Sequence, residues 1–207
     1  MVGRLMHIFD DWIFSMPSTK WPPATYDSLL AEFGRIIFNF NCLERGTRAL
    51  LWALASRDQQ DQKHHALATH LSITAMLDAL RTVANDFHKG EIRESAIHCI
   101  SVFDVAREYR NFYVHGFANI KTNGNGSLHT AVARKKLADI WVDVTVKDVE
   151  WVANLCSDAH HYVAGVFGYA SEQLGRLKVD NGIPRVLPAP LVLPERLKKD
   201  YRYRISE

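Results

Sequence analysis

Glu91–Gly116 reads EIRESAIHCISVFDVAREYRNFYVHG, and its spacing decides the fold. Ile92, Ala96, Cys99, Phe103 and Ala106 recur at steps of three and four, which places them on one stripe of an α-helix. Continued toward the end, the same stripe reaches Arg110 and then Tyr113. A guanidinium cannot lose its proton, so an arginine on an inward stripe calls for an anion. Asn111 and His115 are four residues apart, separated by about 40°, and share a different face. Arg110 and His115 are five apart, about 140° on an ideal helix, so their side chains need not meet within one chain unless the last turn unwinds. Gly116 directly after His115 suits such an ending, as a glycine in the left-handed region.

The segments on either side show the same helical period. A first helix, Tyr26–Ser56, places Leu30, Phe33, Ile37, Phe40, Glu44, Thr47, Leu51 and Leu54 on one stripe, with polar Glu44 and Thr47 in its middle. A second helix, Ser72–Phe87, aligns Ile73, Met76, Leu80, Val83 and Phe87, and His88-Lys89-Gly90 closes it. After Gly116, Phe117–Thr122, the Asn-Gly repeat at Asn123–Gly126 and Ser127–Arg134 read as a short hairpin, with a further strand possible at Ile140–Val144. Thr145 with Asp148 marks a helix start in the manner of a capping box, and a fourth helix follows to Leu174 through Val152, Leu155, Ala159, Val163, Val166 and Ala170. The fold class expected is all-α: a four-helix bundle with a short β-hairpin between the third and fourth helices. Residues 1–23 read as an N-terminal arm docking by its aromatics, residues 24–176 as the helical domain, and residues 177–207 as an extended, proline-containing basic arm.

Composition sets outer bounds. The 207 residues suit one domain with tails, and a hydrophobic share of 47% is enough for a real core. The net charge of +2 does not by itself argue for nucleic acid, but Arg176–Glu207 holds eight Lys and Arg against four Asp and Glu. Such a tail suits an anionic partner, RNA backbone or an acidic protein face. A solvated or swapped arm explains the same composition. Cys42, Cys99 and Cys156 are odd in number and far apart, so no disulfide scaffold is implied. With no uninterrupted apolar run near the roughly 18 residues of a membrane span, and a poor secretion signal at the start, the expectation is a cytoplasmic protein with no membrane partner.

The sequence Arg110-Asn111-Phe112-Tyr113-Val114-His115 resembles the signature of the HEPN superfamily (higher eukaryotes and prokaryotes nucleotide-binding). In that pattern an Arg is followed by four to six residues and a His, often with Asn, Asp or His directly after the Arg. The likeness covers Tyr26–Leu174 and leaves both arms outside. It implies a metal-independent endoribonuclease, often a toxin or defence component controlled by an antitoxin. Two motifs would face each other across a homodimer. His115 would act as general base or acid on the ribose 2′-hydroxyl, Arg110 would neutralise the phosphorane, and Asn111 would position the phosphate or His115. The product would be a 2′,3′-cyclic phosphate, formed with no cofactor. A composite site would also bring Arg110 of one chain to His115 of the other. The alternative is a non-catalytic module in which the same residues bind a nucleotide or close the helix, since Arg and His in a last turn stabilise the helix dipole by a few tenths to ~1 kcal/mol.

The supporting residues are Glu44, as an anchor for Arg110 or a third catalytic group, Tyr113, as a ring to stack on a base, and Arg107, lining the site. Solvated or core roles are the simpler account of the last two. His64, His65 and His70 lie in a polar connector, and Cys156 with His160 stand four apart on the last helix. No compact set has zinc spacing, so no metal is expected.

Overall fold

The computed structural model describes residues 24–56, 69–120, 126–134, 136–177 and 183–197. The arm at 1–23, His64, His65, Asn123–Asn125 and residues 198–207 lie outside them. The described chain is mostly helical, with four long helices: α1 (Ala24–Ala55), α2 (Ile73–Phe87), α3 (Gly90–His115) and α4 (Val146–Gln173). Between α3 and α4 run three strands, β1 (Phe117–Ile120), β2 (Gly126–Arg134) and β3 (Lys136–Val144). They pair antiparallel in the order β1-β2-β3, with Phe117 opposite His129 and Arg134 opposite Lys136. The insertion is therefore a three-stranded sheet and not a short hairpin. Its last strand starts four residues before Ile140, in a lysine-containing stretch with no glycine or proline to signal the reversal.

The helix ends follow local chemistry. Ser72 caps α2, its hydroxyl accepting from the Ala75 N–H at 3.3 Å. The capping box of α4 is complete: the Asp148 N–H donates to Thr145 Oγ1 at 3.3 Å, and the Thr145 N–H donates to Asp148 Oδ2 at 2.7 Å. At its far end Gly175 takes a φ of 66°, and the Arg176 and Gly175 N–H groups bond back to the Ser171 and Glu172 carbonyls. That pair of bonds is a Schellman ending. Gly90, read as the stop of α2, is instead the first residue of α3, with a φ of 57°.

One core joins all four helices. On α3 and α4 most of the expected stripe is buried, Ala96, Cys99, Phe103 and Ala106 on one and Val152, Leu155, Ala159, Val163, Val166 and Ala170 on the other, while Ile92 is half-buried. On α1 the buried face is rotated from the expected stripe. Leu29, Ile36, Leu43 and Leu50 join Phe40, Thr47, Leu51 and Leu54 inside, while Leu30 and Ile37 are exposed. The rotation follows from α1 packing on α4 along one flank and on α2 and α3 along the other. Asn39 donates to the Ala153 carbonyl at 2.9 Å, and Arg35 to Asn154 at 2.8 Å, which fixes the α4 flank. Thr47 is buried because its hydroxyl donates to the Leu43 carbonyl one turn back, at 2.9 Å. On α2, Phe87 lies outside the core, which Leu77 and Ala84 enter instead.

Residues 183–197 run without helix or strand across α4 and α3 of their own chain. Glu172 accepts the Arg185 N–H at 3.0 Å, and Pro188 packs where a side chain on Gly165 would stand, 3.0 Å from its Cβ position. Farther on, His98 Nε2 meets the Leu191 carbonyl at 3.1 Å, and the Tyr109 hydroxyl donates to the Glu195 carbonyl at 2.8 Å. Leu187, Leu191 and Leu193 pack against the core. This stretch of the tail is a strap along the bundle.

Phe103 is fully buried, with its ring 5.3 Å from that of Phe40. Phe103→Ala is expected to cost about 3–5 kcal/mol, read as a lowered urea midpoint. Gly165→Val is expected to push Pro188 off α4 and leave the bundle folded, seen as faster proteolysis within 183–197 at an unchanged helical circular dichroism signal.

Candidate functional site

Helix α3 stays regular through His115, and Gly116 leads directly into β1 with φ −68° and ψ 132°. The expected left-handed ending is absent, because the chain passes straight into a strand and needs no reversal. The last turn does not unwind. Even so, Arg110 and His115 meet inside one chain, with Arg110 Nη1 lying 2.8 Å from His115 Nε2. The same Nη1 donates to Asn111 Oδ1 at 3.0 Å. The condition expected for that contact, an unwound last turn, is not needed. Side chains on a helix lean toward its N-terminus, so the His115 ring tips back over the preceding turn and the long arginine stem spans the remaining angle.

The rest of the guanidinium is set by the neighbouring helices. Its Cζ lies 5.4 Å from the centre of the Phe40 ring on α1, within cation–π range. Its Nε is buried with no hydrogen-bond partner among the described residues. Toward α4 its charge reaches Cys156, where it opposes the effect of burial on the thiol. Among the described residues no carboxylate pairs with Arg110. A guanidinium only donates, so Nε2 of His115 accepts and the ring carries its proton on Nδ1. Asn111 and His115 are exposed, so solvent reaches the cluster.

Of the supporting residues, Glu44 is turned away from Arg110, while Arg107 and Tyr113 take the simpler ion-pair and core roles. Glu44 bonds Arg48 at 2.7 Å, one turn along α1, and Arg48 also donates to the Leu71 carbonyl at 2.8 Å. Helical neighbours four apart meet readily, and Glu44 is held there beside a cavity of about 680 Å³ that Trp52 and Phe167 also line. Arg48 is thus a structural partner and not a plain surface charge. Arg107 pairs with Asp104 at 2.9 Å, and Tyr113 packs edge-on to Phe112, with ring centres 5.5 Å apart, against the core. Tyr109, beside Arg110 in the chain, lies edge-on to the exposed ring of Trp151 at 5.1 Å.

Two residues at the cluster escaped the sequence reading, Phe40 under the guanidinium and Cys156 behind it. Both stand on apolar stripes, and no spacing signal separates a core residue from the seat of a charge. His160, on α4 beyond Cys156, has its pKa lowered by burial and by neighbouring His161. Among the described residues no three of His, Cys, Asp and Glu converge to hold a metal ion.

Burial raises the Cys99 thiol, and it lifts Cys156 from 9.0 to about 12 despite Arg110, whereas Cys42 is half-buried. A thiol raised in the folded state favours folding below its unfolded value, and that contribution is lost as pH climbs toward the folded one. Stability is therefore expected to fall between pH 9 and 12, read as a declining melting temperature. In native protein a thiol reagent at pH 8 is expected to label Cys42 alone, and denaturant to release Cys99 and Cys156. No family description, curated protein or solved structure matches this chain.

Proposed function

We propose that this chain is a metal-independent endoribonuclease of HEPN type, acting through Arg110, Asn111 and His115 as a toxin or defence component. The observation that carries the reading is the state of Arg110. It is a half-buried permanent cation in contact with an asparagine and the accepting nitrogen of an imidazole, without a carboxylate among the described residues. Such a group has standing affinity for a phosphate that would displace the weaker neutral acceptors.

On RNA, Arg110 would turn from His115 to the phosphate oxygens and free Nε2. That nitrogen takes the proton of the ribose 2′-hydroxyl, the 2′-oxygen attacks phosphorus, and the bond to the 5′-oxygen breaks. The leaving oxygen collects a proton from the imidazolium so formed or from water, and a 2′,3′-cyclic phosphate remains. Asn111 steers the guanidinium. Because Arg110 and His115 meet within one protomer, the reading requires no second chain to complete the pair.

A second reading is favoured by the same contacts. Arg110, Asn111 and His115 satisfy one another, as residues that only close a helix would. The two readings part on activity. With EDTA present, the protein is expected to cleave RNA to cyclic-phosphate ends, and His115→Ala to slow cleavage by roughly 10²–10⁴-fold. His115 is exposed, so the melting temperature should barely move. Equal inertness of wild type and His115→Ala on varied RNAs would leave the helix-closing role.

A further inference from the structure

The cavity beside Glu44 takes no part in the chemistry at Arg110, and its walls are of two kinds. Helices α1 and α4 run parallel: Asn39 meets Ala153, Gly46 lies beside Val163, and the Ser56 carbonyl accepts the Arg176 guanidinium. Trp52 and Phe167 therefore stand at one level on neighbouring helices, and both line the cavity. One to three turns back along α1 the lining changes to Arg48, Arg45, Glu44 and Asn41. The volume of about 680 Å³ falls within the roughly 300–1,000 Å³ of pockets that take small molecules. An apolar end with a few polar groups at the other is also the usual make-up of such pockets.

The polar end selects the ligand's charge. Arg48 is held twice, by the Glu44 carboxylate and by the Leu71 carbonyl, so the Glu44–Arg48 pair is a fixed and internally balanced wall. Arg45 is different. It is exposed, it follows Asn41 by one turn on the same face, and it enters no ion pair among the described residues. Two guanidiniums against one carboxylate leave the lining one positive charge in excess. A carboxylate balances that charge singly, whereas a phosphate monoester brings nearly two. A carboxylate also accepts two parallel bonds from a guanidinium fork, and the Asn41 amide adds a further donor.

The apolar end selects the ligand's body. The rings of Trp52 and Phe167 and the methyl of Ala49 offer surface to a flat hydrophobic group. Arg45 and Trp52 are seven residues apart, about 10 Å along the helix axis. One small molecule can thus reach both ends.

We propose that the cavity between α1 and α4 is a binding site for a small aromatic carboxylate, its acid group held by Arg45 and Asn41 and its ring lying against Trp52 and Phe167. The site is separate from the ribonuclease reading, since it uses none of Arg110, Asn111 or His115, and the failure of either leaves the other intact.

The test is calorimetric titration of the full chain with 4-biphenylacetate, with its neutral amide and with adenosine monophosphate. The acid is expected to bind saturably at one site per chain, and the amide to bind about tenfold more weakly or less, because it lacks the charge that Arg45 meets. Arg45→Gln is expected to weaken the acid by the same factor and to leave the amide unchanged. Arg45 is exposed, so this variant keeps its fold. Ala49→Phe should fill the apolar end and remove binding of both compounds at an unchanged helical circular dichroism signal. The proposal is overturned by a wild type that shows no saturable binding of the acid up to millimolar concentration. It is overturned equally by an amide that binds as well as the acid, by indifference to Arg45→Gln, or by adenosine monophosphate binding more tightly than the acid.

Discussion

Arg110 cannot shed its charge, and its Nε has no access to water, so the helices around it must accommodate a fixed cation at the edge of the core. Helix α1 does so with the face of Phe40, α4 with an unionised thiol at Cys156, and α3 with the amide of Asn111 and the ring of His115. No acid among the described residues neutralises it. A carboxylate would have given a more stable arrangement in isolation, because breaking or omitting one side of a buried pair leaves an uncompensated charge. Among the described residues the cation is met by neutral groups alone.

The bundle makes this possible by supplying three walls from distant parts of the sequence. Phe40 and Phe103 pack inside with their rings tilted, and Tyr109 leans on Trp151 outside, so α3 is gripped on both sides of the turn that carries Arg110. The strap adds a further hold, since Glu195 accepts the hydroxyl of the residue next to Arg110. The sheet leaves α3 one residue after His115, and its entry in extended conformation is what keeps the last helical turn intact.

Helix positions, the capping box at Thr145 and the inward stripes of α3 and α4 were legible because they depend on near neighbours in the chain. The wide buried face of α1 was not. A helix that packs on two flanks buries an arc set by its partners, and the stripe through Leu30 and Ile37 was only the best single line through it. The third strand was legible only from Ile140 onward, because Lys136 and its neighbours carry no turn residue. At the candidate site, the sharing of a face by Asn111 and His115 could be read from spacing, whereas the Arg110–His115 contact could not. Angles on a helical wheel describe Cβ directions, and a side chain as long as arginine travels well beyond them. Glu44 went astray for a related reason, since Arg48 was the nearer cation along its own helix.

The pairing of α1 with α4 has a consequence for how the protein comes into being. Their contacts join residues 114 and 119 positions apart, so α1 leaves the ribosome long before its main partner exists. At about 5–20 residues per second, the wait lasts roughly 6–24 s. Closing so distant a contact is entropically slow. For those seconds the apolar side of α1 that α4 will cover has no α4 to pack on, the kind of surface that holdase chaperones engage.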